Sequence, residues 1–235
     1  SSKMSYLIAI GTSVCGATAI VATAPLINAK KTEVAYAIAN ITLFGVIAML
    51  VYPYFAQWYF YDDSLKAGLF LGTAIHETSQ VAAAGLIYDQ QFNSPETLNV
   101  ATVTKLIRNT FLVIMIPLFA VLYNRGKKKE KNYSILNIFP YFVIGFIGMI
   151  VIRNIGDQLI TIENNNFHIW KNFISYIKTM ATVFLTMSMA AVGISINLNE
   201  LKSMGYKPFI VGFIAAITVG IVGIISMETF LKYFI

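Results

Sequence analysis

Charged residues are scarce in this sequence: Asp, Glu, Lys and Arg make up 12% of its 235 residues, about half of the roughly 25% that soluble domains carry. Hydrophobic residues make up 57%. This composition excludes a disordered chain, a nucleic-acid module with a basic face and an ordinary cytosolic enzyme. The formal net charge is +6, but the positive residues lie between apolar runs, where Lys and Arg orient membrane helices. We therefore expect a lipid bilayer as partner and no nucleic acid.

Cysteine and histidine are almost absent. The only cysteine, Cys15, excludes an internal disulfide and a cysteine-based zinc site. With two histidines, His76 and His168, a multi-histidine metal or haem centre is not expected either. We therefore expect neither a metal nor a cofactor.

Long uncharged runs are what the sequence has in abundance. They cover residues 4–29, 34–61, 109–124, 132–152, 179–199 and 208–227. A helix needs roughly 20 apolar residues to cross the hydrocarbon of a bilayer. The sequence thus predicts an all-α polytopic membrane protein of about seven transmembrane helices, at residues 4–28, 34–58, 65–88, 100–123, 133–152, 173–198 and 208–230. The polar stretch 153–170 is interpreted as a loop with an interfacial piece.

The first predicted helix contains a run of small and polar residues at mid-depth. This run includes Gly11, Ser13, Cys15, Gly16 and Thr18. Such residues weaken a helix and permit a local break, which hydrocarbon tolerates only where protein or a water-filled cavity covers the backbone. The alternative is close helix packing through small side chains. Broken helices form the binding sites of many secondary transporters.

The third predicted helix carries an ionisable pair at its centre, His76 and Glu77, followed by Gln80. Helical spacing stacks Thr73, His76 or Glu77, and Gln80 on one face. Ionisable groups at mid-membrane indicate a functional site by default, here a proton-coupling one. The alternative is a structural pair that ties helices together. The segment also matches part of the zinc-protease motif His-Glu-x-x-His, but Gln80 stands where the second histidine is required.

The sixth predicted helix repeats the pattern of the first, with Gly193 and Ser195 among small residues. Two weakened helices in one chain are typical of an inverted-repeat transporter. Lys105 and Arg108 are expected to begin the fourth helix and to reach the membrane interface with their long side chains. An anion-attracting role for this pair is the alternative.

Three motifs together resemble the YeiH-like family of proposed sulfate exporters: Gly11-Thr-Ser-Val-Cys-Gly-Ala-Thr-Ala-Ile, Ile75-His-Glu-Thr-Ser-Gln-Val-Ala-Ala-Ala-Gly and Met189-Ala-Ala-Val-Gly-Ile. The resemblance implies a multi-pass protein of the bacterial inner membrane. It also implies two inverted five-helix repeats with broken crossing helices, as in sodium/proton antiporters and bile-acid symporters. On that plan, residues 1–61 end the first repeat, residues 62–235 form the second, and about three N-terminal helices are missing.

We expect a secondary transporter and not an enzyme, one that exports or exchanges a small anion such as sulfate or a sulfonate. Gly11, Ser13, Cys15, Gly16, Thr18, Gly193 and Ser195 are the candidate substrate-binding residues. His76, Glu77 and Gln80 are the candidate proton-coupling residues. The alternatives are a sodium-coupled symporter of an organic anion, with Na⁺ on Glu77, an intramembrane enzyme, and a structural or sensory membrane protein. A homodimer is also possible.

Overall fold

The computed structural model describes residues 2–61, 63–124, 142–160, 167–195 and 206–234. Every regular element in these ranges is a helix. The α-helices are α1 (Ser2–Ser13), α2 (Gly16–Thr23), α3 (Lys31–Phe60), α4 (Ser64–Ala74), α5 (Thr78–Phe92), α6 (Thr97–Thr110), α7 (Leu112–Asn124), α8 (Phe142–Leu159), α9 (Phe167–Ser195) and α10 (Tyr206–Phe234). A short 3₁₀ helix, Ala24–Ile27, follows α2.

Two of the described helices are long and apolar enough to cross a membrane, by length and composition. They are Lys31–Phe60 and the stretch Phe209–Thr229 of α10. Both agree with spans predicted from the uncharged runs. The seven-span count and the repeat boundary at residue 61 stay predictions.

Three predicted helices are divided in the structure. The first is interrupted between Ser13 and Gly16, as its small residues predict. The third, predicted as one helix over 65–88, is divided into α4 and α5, so the continuous helical face predicted for its polar residues is wrong. The fourth is divided at Phe111 into α6 and α7.

The sixth predicted helix is observed as α9, which continues without interruption to Ser195. The break predicted near Gly193 and Ser195 coincides with the end of this helix, and residues 196–205 lie outside the described residues. A break at this point therefore stays a prediction. A second interruption that the structure does describe lies at residues 75–77.

The chain forms two compact units, and the smaller comprises residues 139–194. Here the predicted polar loop over 153–170 is wrong at both ends, since α8 continues to Leu159 and α9 begins at Phe167. Arg153 pairs with Asp157 one turn later, at 2.6 Å, and so supports the end of α8. Trp170 of α9 donates its indole N–H to the same carboxylate, at 2.7 Å. Residues 161–166, which include the Asn164-Asn-Asn run, lie outside the described residues.

The larger unit contains the elements that surround both interruptions. Helices α4 and α6 lie very close together, because Gly72 offers no side chain: a Cβ there would lie 2.6 Å from the carbonyl oxygen of Ala101. Around the first interruption, Ile10, Val14 and Cys15 pack with Leu112 and Ile116 of α7. Both interruptions are thereby enclosed by protein, which is the condition under which irregular backbone is tolerated at membrane depth.

Candidate functional site: two interrupted helices that meet

The first interruption is a short non-helical turn between α1 and α2. Cys15 has φ −139° and ψ 80°, outside the helical region, and is buried at the end of this turn. Gly16 has φ +22°, a conformation that side-chain-bearing residues rarely adopt. The turn leaves the last carbonyls of α1 without helical partners, as every helix end does.

The second interruption is an extended segment between α4 and α5. Ile75 has φ −90° and ψ 142°, and Glu77 has φ −111° and ψ 144°. His76 between them is buried, 1% exposed, and Glu77 is 8% exposed. The two ionisable residues that the sequence places inside the membrane therefore lie on irregular backbone, and not on the face of a helix.

Lys105 of α6 joins the two interruptions. Its ammonium group donates to the carbonyl oxygen of Val14 in the first, at 2.9 Å, and to that of Ile75 in the second, at 3.0 Å. The side chain is 0% exposed. The expectation that Lys105 reaches the membrane interface is therefore wrong, because carbonyls freed by the interruptions offer the ammonium partners in the interior.

Arg108 lies one turn after Lys105 and repeats the same role. Its guanidinium donates to the carbonyl oxygens of Thr12 and Thr73, both at 2.6 Å, and of Ser13, at 3.1 Å. Positive charge is favourable at helix C-termini, where the dipoles of the backbone place partial negative charge. The two cations thus stabilise the C-terminal ends of α1 and α4. Arg108 is partly exposed, and the interface placement expected for it stays a prediction.

Glu77 has the complementary position. Its carboxylate lies at the N-terminus of α2, where partial positive charge lies: a Cβ on Gly16, the first residue of α2, would lie 3.0 Å from the Oε1 atom of Glu77. The hydroxyl of Thr42 on α3 donates to the Oε1 atom of Glu77 at 3.4 Å. Gly16 makes the approach possible, since a Cβ there would lie 2.5 Å from the Cγ atom of Glu77.

Gln80 and Asn109 add two amide side chains to the polar groups around the second interruption. Gln80 is 0% exposed and donates to the carbonyl oxygen of Thr42 at 3.2 Å. Asn109 donates to the hydroxyl of Thr78 at 3.2 Å. Within the described part of the chain, three buried atoms of this region have no hydrogen-bond partner: His76 Nδ1, Gln80 Oε1 and Asn109 Oδ1. Such atoms are expensive to leave unpaired and therefore mark a place where a ligand or water is expected.

The positive charge of this site exceeds its negative charge. In the described ranges, neither Lys105 nor Arg108 lies within 4.0 Å of a carboxylate, because the ion pairs found there are Lys66–Asp63 and Arg153–Asp157. The site holds two cationic side chains against the one carboxylate of Glu77. The helix termini do not remove the excess, since two C-termini and two N-termini meet here and their partial charges roughly cancel.

The other residues that the sequence proposed for substrate binding are distributed differently. The Ser13 hydroxyl donates to the carbonyl oxygen of Ile10 in its own helix at 3.0 Å, and Thr18 is exposed. Gly11 is buried against Ile20 and Ile41. Cys15 and Gly16 do line the interruption. Gly193 and Ser195 lie at the end of α9, and their joining the same site stays a prediction.

Sequence reasoning missed the two cations as members of the site, although a signal was present. Lys105, Arg108 and Asn109 are spaced i, i+3 and i+4, which places them on one face of α6. For metal binding, the described residues contain no group of three His, Cys, Asp or Glu side chains that could hold an ion.

Comparison with known proteins places the chain in a family. Residues 1–212 match the family model described as conserved hypothetical protein 698. The chain belongs to this family. Proteins named UPF0324 membrane protein are similar to it: one from Fusobacterium nucleatum is 36% identical over 228 residues, or 94% of this chain and 65% of that protein. One from Streptococcus agalactiae is 35% identical over 220 residues, 92% of this chain and 61% of that protein.

A Clostridium tetani protein of the same name is 31% identical over 241 residues, covering 97% of this chain and 65% of the relative. The chain thus spans 61–65% of the length of these curated relatives. No solved structure matches it. Family membership and the apolar helices agree on a helical membrane protein, in which the two interruptions are the feature that needs a functional explanation.

Proposed function

We propose that this chain is the main part of a secondary transporter that moves a small anion across the bacterial cytoplasmic membrane, coupled to protons at His76 and Glu77. The observation that carries the proposal is the meeting of two interrupted helices at Lys105. Secondary transporters bind substrate at such interruptions, because helix ends there present backbone groups to the ligand. A packing role alone does not require broken helices.

The sign of the buried charge favours an anion as the substrate. Lys105 and Arg108 outnumber Glu77, and an unpaired charge in a protein interior costs several kcal/mol. A bound anion removes that cost and makes use of the remaining N–H donors of the guanidinium and of the first turn of α5. The resemblance to proposed sulfate exporters makes sulfate and sulfonates the first anions to test.

A sodium-coupled symporter is the second candidate, and one observation favours it. The Oε1 atom of Gln80 is buried without a hydrogen-bond partner in the described chain, and Gln80 shares Thr42 with Glu77. Sodium prefers oxygen ligands of this type, as other hard cations do. A sodium site here would use Glu77 as its charged ligand.

Flux measurements in proteoliposomes distinguish these candidates. Since the relatives are longer than this chain, the assay uses the full-length Fusobacterium nucleatum protein, with substitutions at the positions aligned with Lys105, Glu77 and, as a control, Lys66. We expect labelled sulfate or methanesulfonate to be transported under a pH gradient, and loss of this flux on Lys105→Met and Glu77→Gln but not on Lys66→Met. Flux that follows a sodium gradient and ignores the pH gradient contradicts proton coupling. The absence of flux for every anion in both gradients contradicts the transporter.

A further inference from the structure

We infer that Glu77 occupies the place of the substrate anion in this structure, so that a proton must neutralise Glu77 before the anion binds. The inference rests on the proposed function and specifies its coupling. It makes proton and anion bind together at one site, and it assigns the proton to Glu77 instead of His76.

The contacts of Glu77 are those of a bound anion. Its carboxylate lies against Gly16, the first residue of α2, where a Cβ would lie 3.0 Å from the Oε1 atom of Glu77, and the eight residues of α2 give this end the dipole that attracts anions. Thr42 supplies a hydroxyl donor at 3.4 Å. Helix N-termini in broken transporter helices take the negative group of a substrate in this way. Here the Glu77 carboxylate, which belongs to the other interruption, lies at this helix N-terminus instead.

The two cations, Lys105 buried and Arg108 partly buried, provide the second, independent observation. Lys105 and Arg108 donate to five backbone carbonyls in total, and neither has a carboxylate within 4.0 Å in the described ranges. Protonation of Glu77 removes the one carboxylate of the site and leaves both positive charges uncompensated. Because that state is costly in the interior, it is favoured when an anion enters. Proton binding and anion binding therefore strengthen each other, as linkage requires.

The groups around Glu77 that carry or exchange charge come from three elements. Lys105 and Arg108 are on α6, His76 is in the same interruption, and Cys15 lies in the other interruption beside both cations. Thr42 on α3 is uncharged. Protonation of His76 would also add positive charge, but it would leave the Glu77 carboxylate charged at the N-terminus of α2. Among these groups, Glu77 is the one that links the proton to the helix end that the anion needs.

Calorimetric titration of the detergent-purified chain with sodium sulfate tests this coupling. Titrations from about pH 5.5 to about 8.5, in two buffers of different ionisation enthalpy, give the affinity and the number of protons taken up. We expect uptake of about one proton per sulfate, and an affinity that falls up to about tenfold per pH unit where Glu77 is ionised. Glu77→Gln is expected to bind sulfate with no proton uptake and a flat pH profile. Glu33→Gln is the matched control, because Glu33 is a buried glutamate that accepts from the Lys30 N–H at 2.9 Å at the start of α3; it should keep the wild-type linkage.

The outcomes separate the coupling from the function. If Glu77→Gln binds sulfate with the wild-type pH dependence, the coupling by Glu77 is wrong and anion binding stands. Loss of the pH dependence in His76→Ala, but not in Glu77→Gln, overturns the assignment in favour of His76. If wild-type chain binds neither sulfate nor methanesulfonate at any pH, both proposals fail.

A labelling assay on the unmodified chain guards against a Glu77→Gln variant that does not fold. Cys15 is the only cysteine of the chain and lies in the first interruption. We expect sulfate to slow the reaction of Cys15 with a small maleimide in acidic buffer and to have little effect in alkaline buffer. Protection that is equal at both pH values, or greater in alkaline buffer, contradicts the inference.

Discussion

Replacement of Lys105 by methionine is the most direct test of how the interruptions are held together. Methionine keeps most of the volume and removes the ammonium, so the carbonyl oxygens of Val14 and Ile75 lose their donor. Leaving a buried acceptor unsatisfied costs about 1–3 kcal/mol, and two acceptors therefore cost about 2–6 kcal/mol. Part of this loss is offset, because the variant no longer buries a charge. We therefore expect the free energy of unfolding to fall by about 2–4 kcal/mol, which is the lower half of the range of about 2–6 kcal/mol.

Equilibrium unfolding in detergent, followed by the fluorescence of Trp58 and Trp170, measures this change. Lys66→Met is the matched control, since the Lys66 side chain is 37% exposed and pairs with Asp63 at 3.3 Å. A pair this exposed is screened by solvent and contributes at most about 1 kcal/mol. If Lys105→Met is no more destabilising than Lys66→Met, the bridge between the two interruptions does not hold the fold together, and our reasoning about Lys105 is refuted.

Two further substitutions test local features, the first by equilibrium unfolding and the second by NMR titration. Gly16→Ala should lower the free energy of unfolding by about 1–3 kcal/mol, because the new Cβ would meet the Glu77 side chain. Gly148→Ala is the control: a Cβ there has no other atom within 4 Å, so the substitution should raise the free energy of unfolding by about 0.5–1 kcal/mol. Equal effects of the two substitutions would contradict the close approach at Gly16. In the smaller unit, the Trp170 indole N–H holds the pKa of Asp157 below its ordinary value of 3.8. The stability that this hydrogen bond contributes to the fold is therefore present above pH 3.8 and is lost as the pH falls through the lowered pKa. Trp170→Phe should raise the pKa of Asp157 toward 3.8, as measured by NMR titration of its carboxyl carbon, and an unchanged pKa would contradict the hydrogen bond.

The sequence predicts one interruption and misses the other for a physical reason. The first lies among Gly11, Gly16 and small polar residues, which lower helix stability locally, so composition alone reveals it. The segment from Ile75 to Gln80 contains neither glycine nor proline, and its spacing fits a continuous helix. What favours the extended segment is tertiary: Lys105 and Arg108 bind the carbonyls at the end of α4. A local pattern cannot report partners that lie 30 residues or more along the chain.

The same reasoning explains why the sequence alone favours an interface placement for the two cations, and it indicates how to recognise such residues elsewhere. A lysine and an arginine one turn apart suggest an interfacial helix end only if water is within reach. Asn109, beside them on α6, also turns toward the interior, where it binds Thr78. Three polar side chains on one face, with no acidic residue in α6 to neutralise the two cations, require acceptors from outside that helix. In a membrane, the acceptors that remain available are carbonyls at helix ends. A helix face that carries Lys and Arg but no Asp or Glu is therefore a sequence sign that interrupted helices pack against it. In this chain, that face of α6 contacts both interruptions.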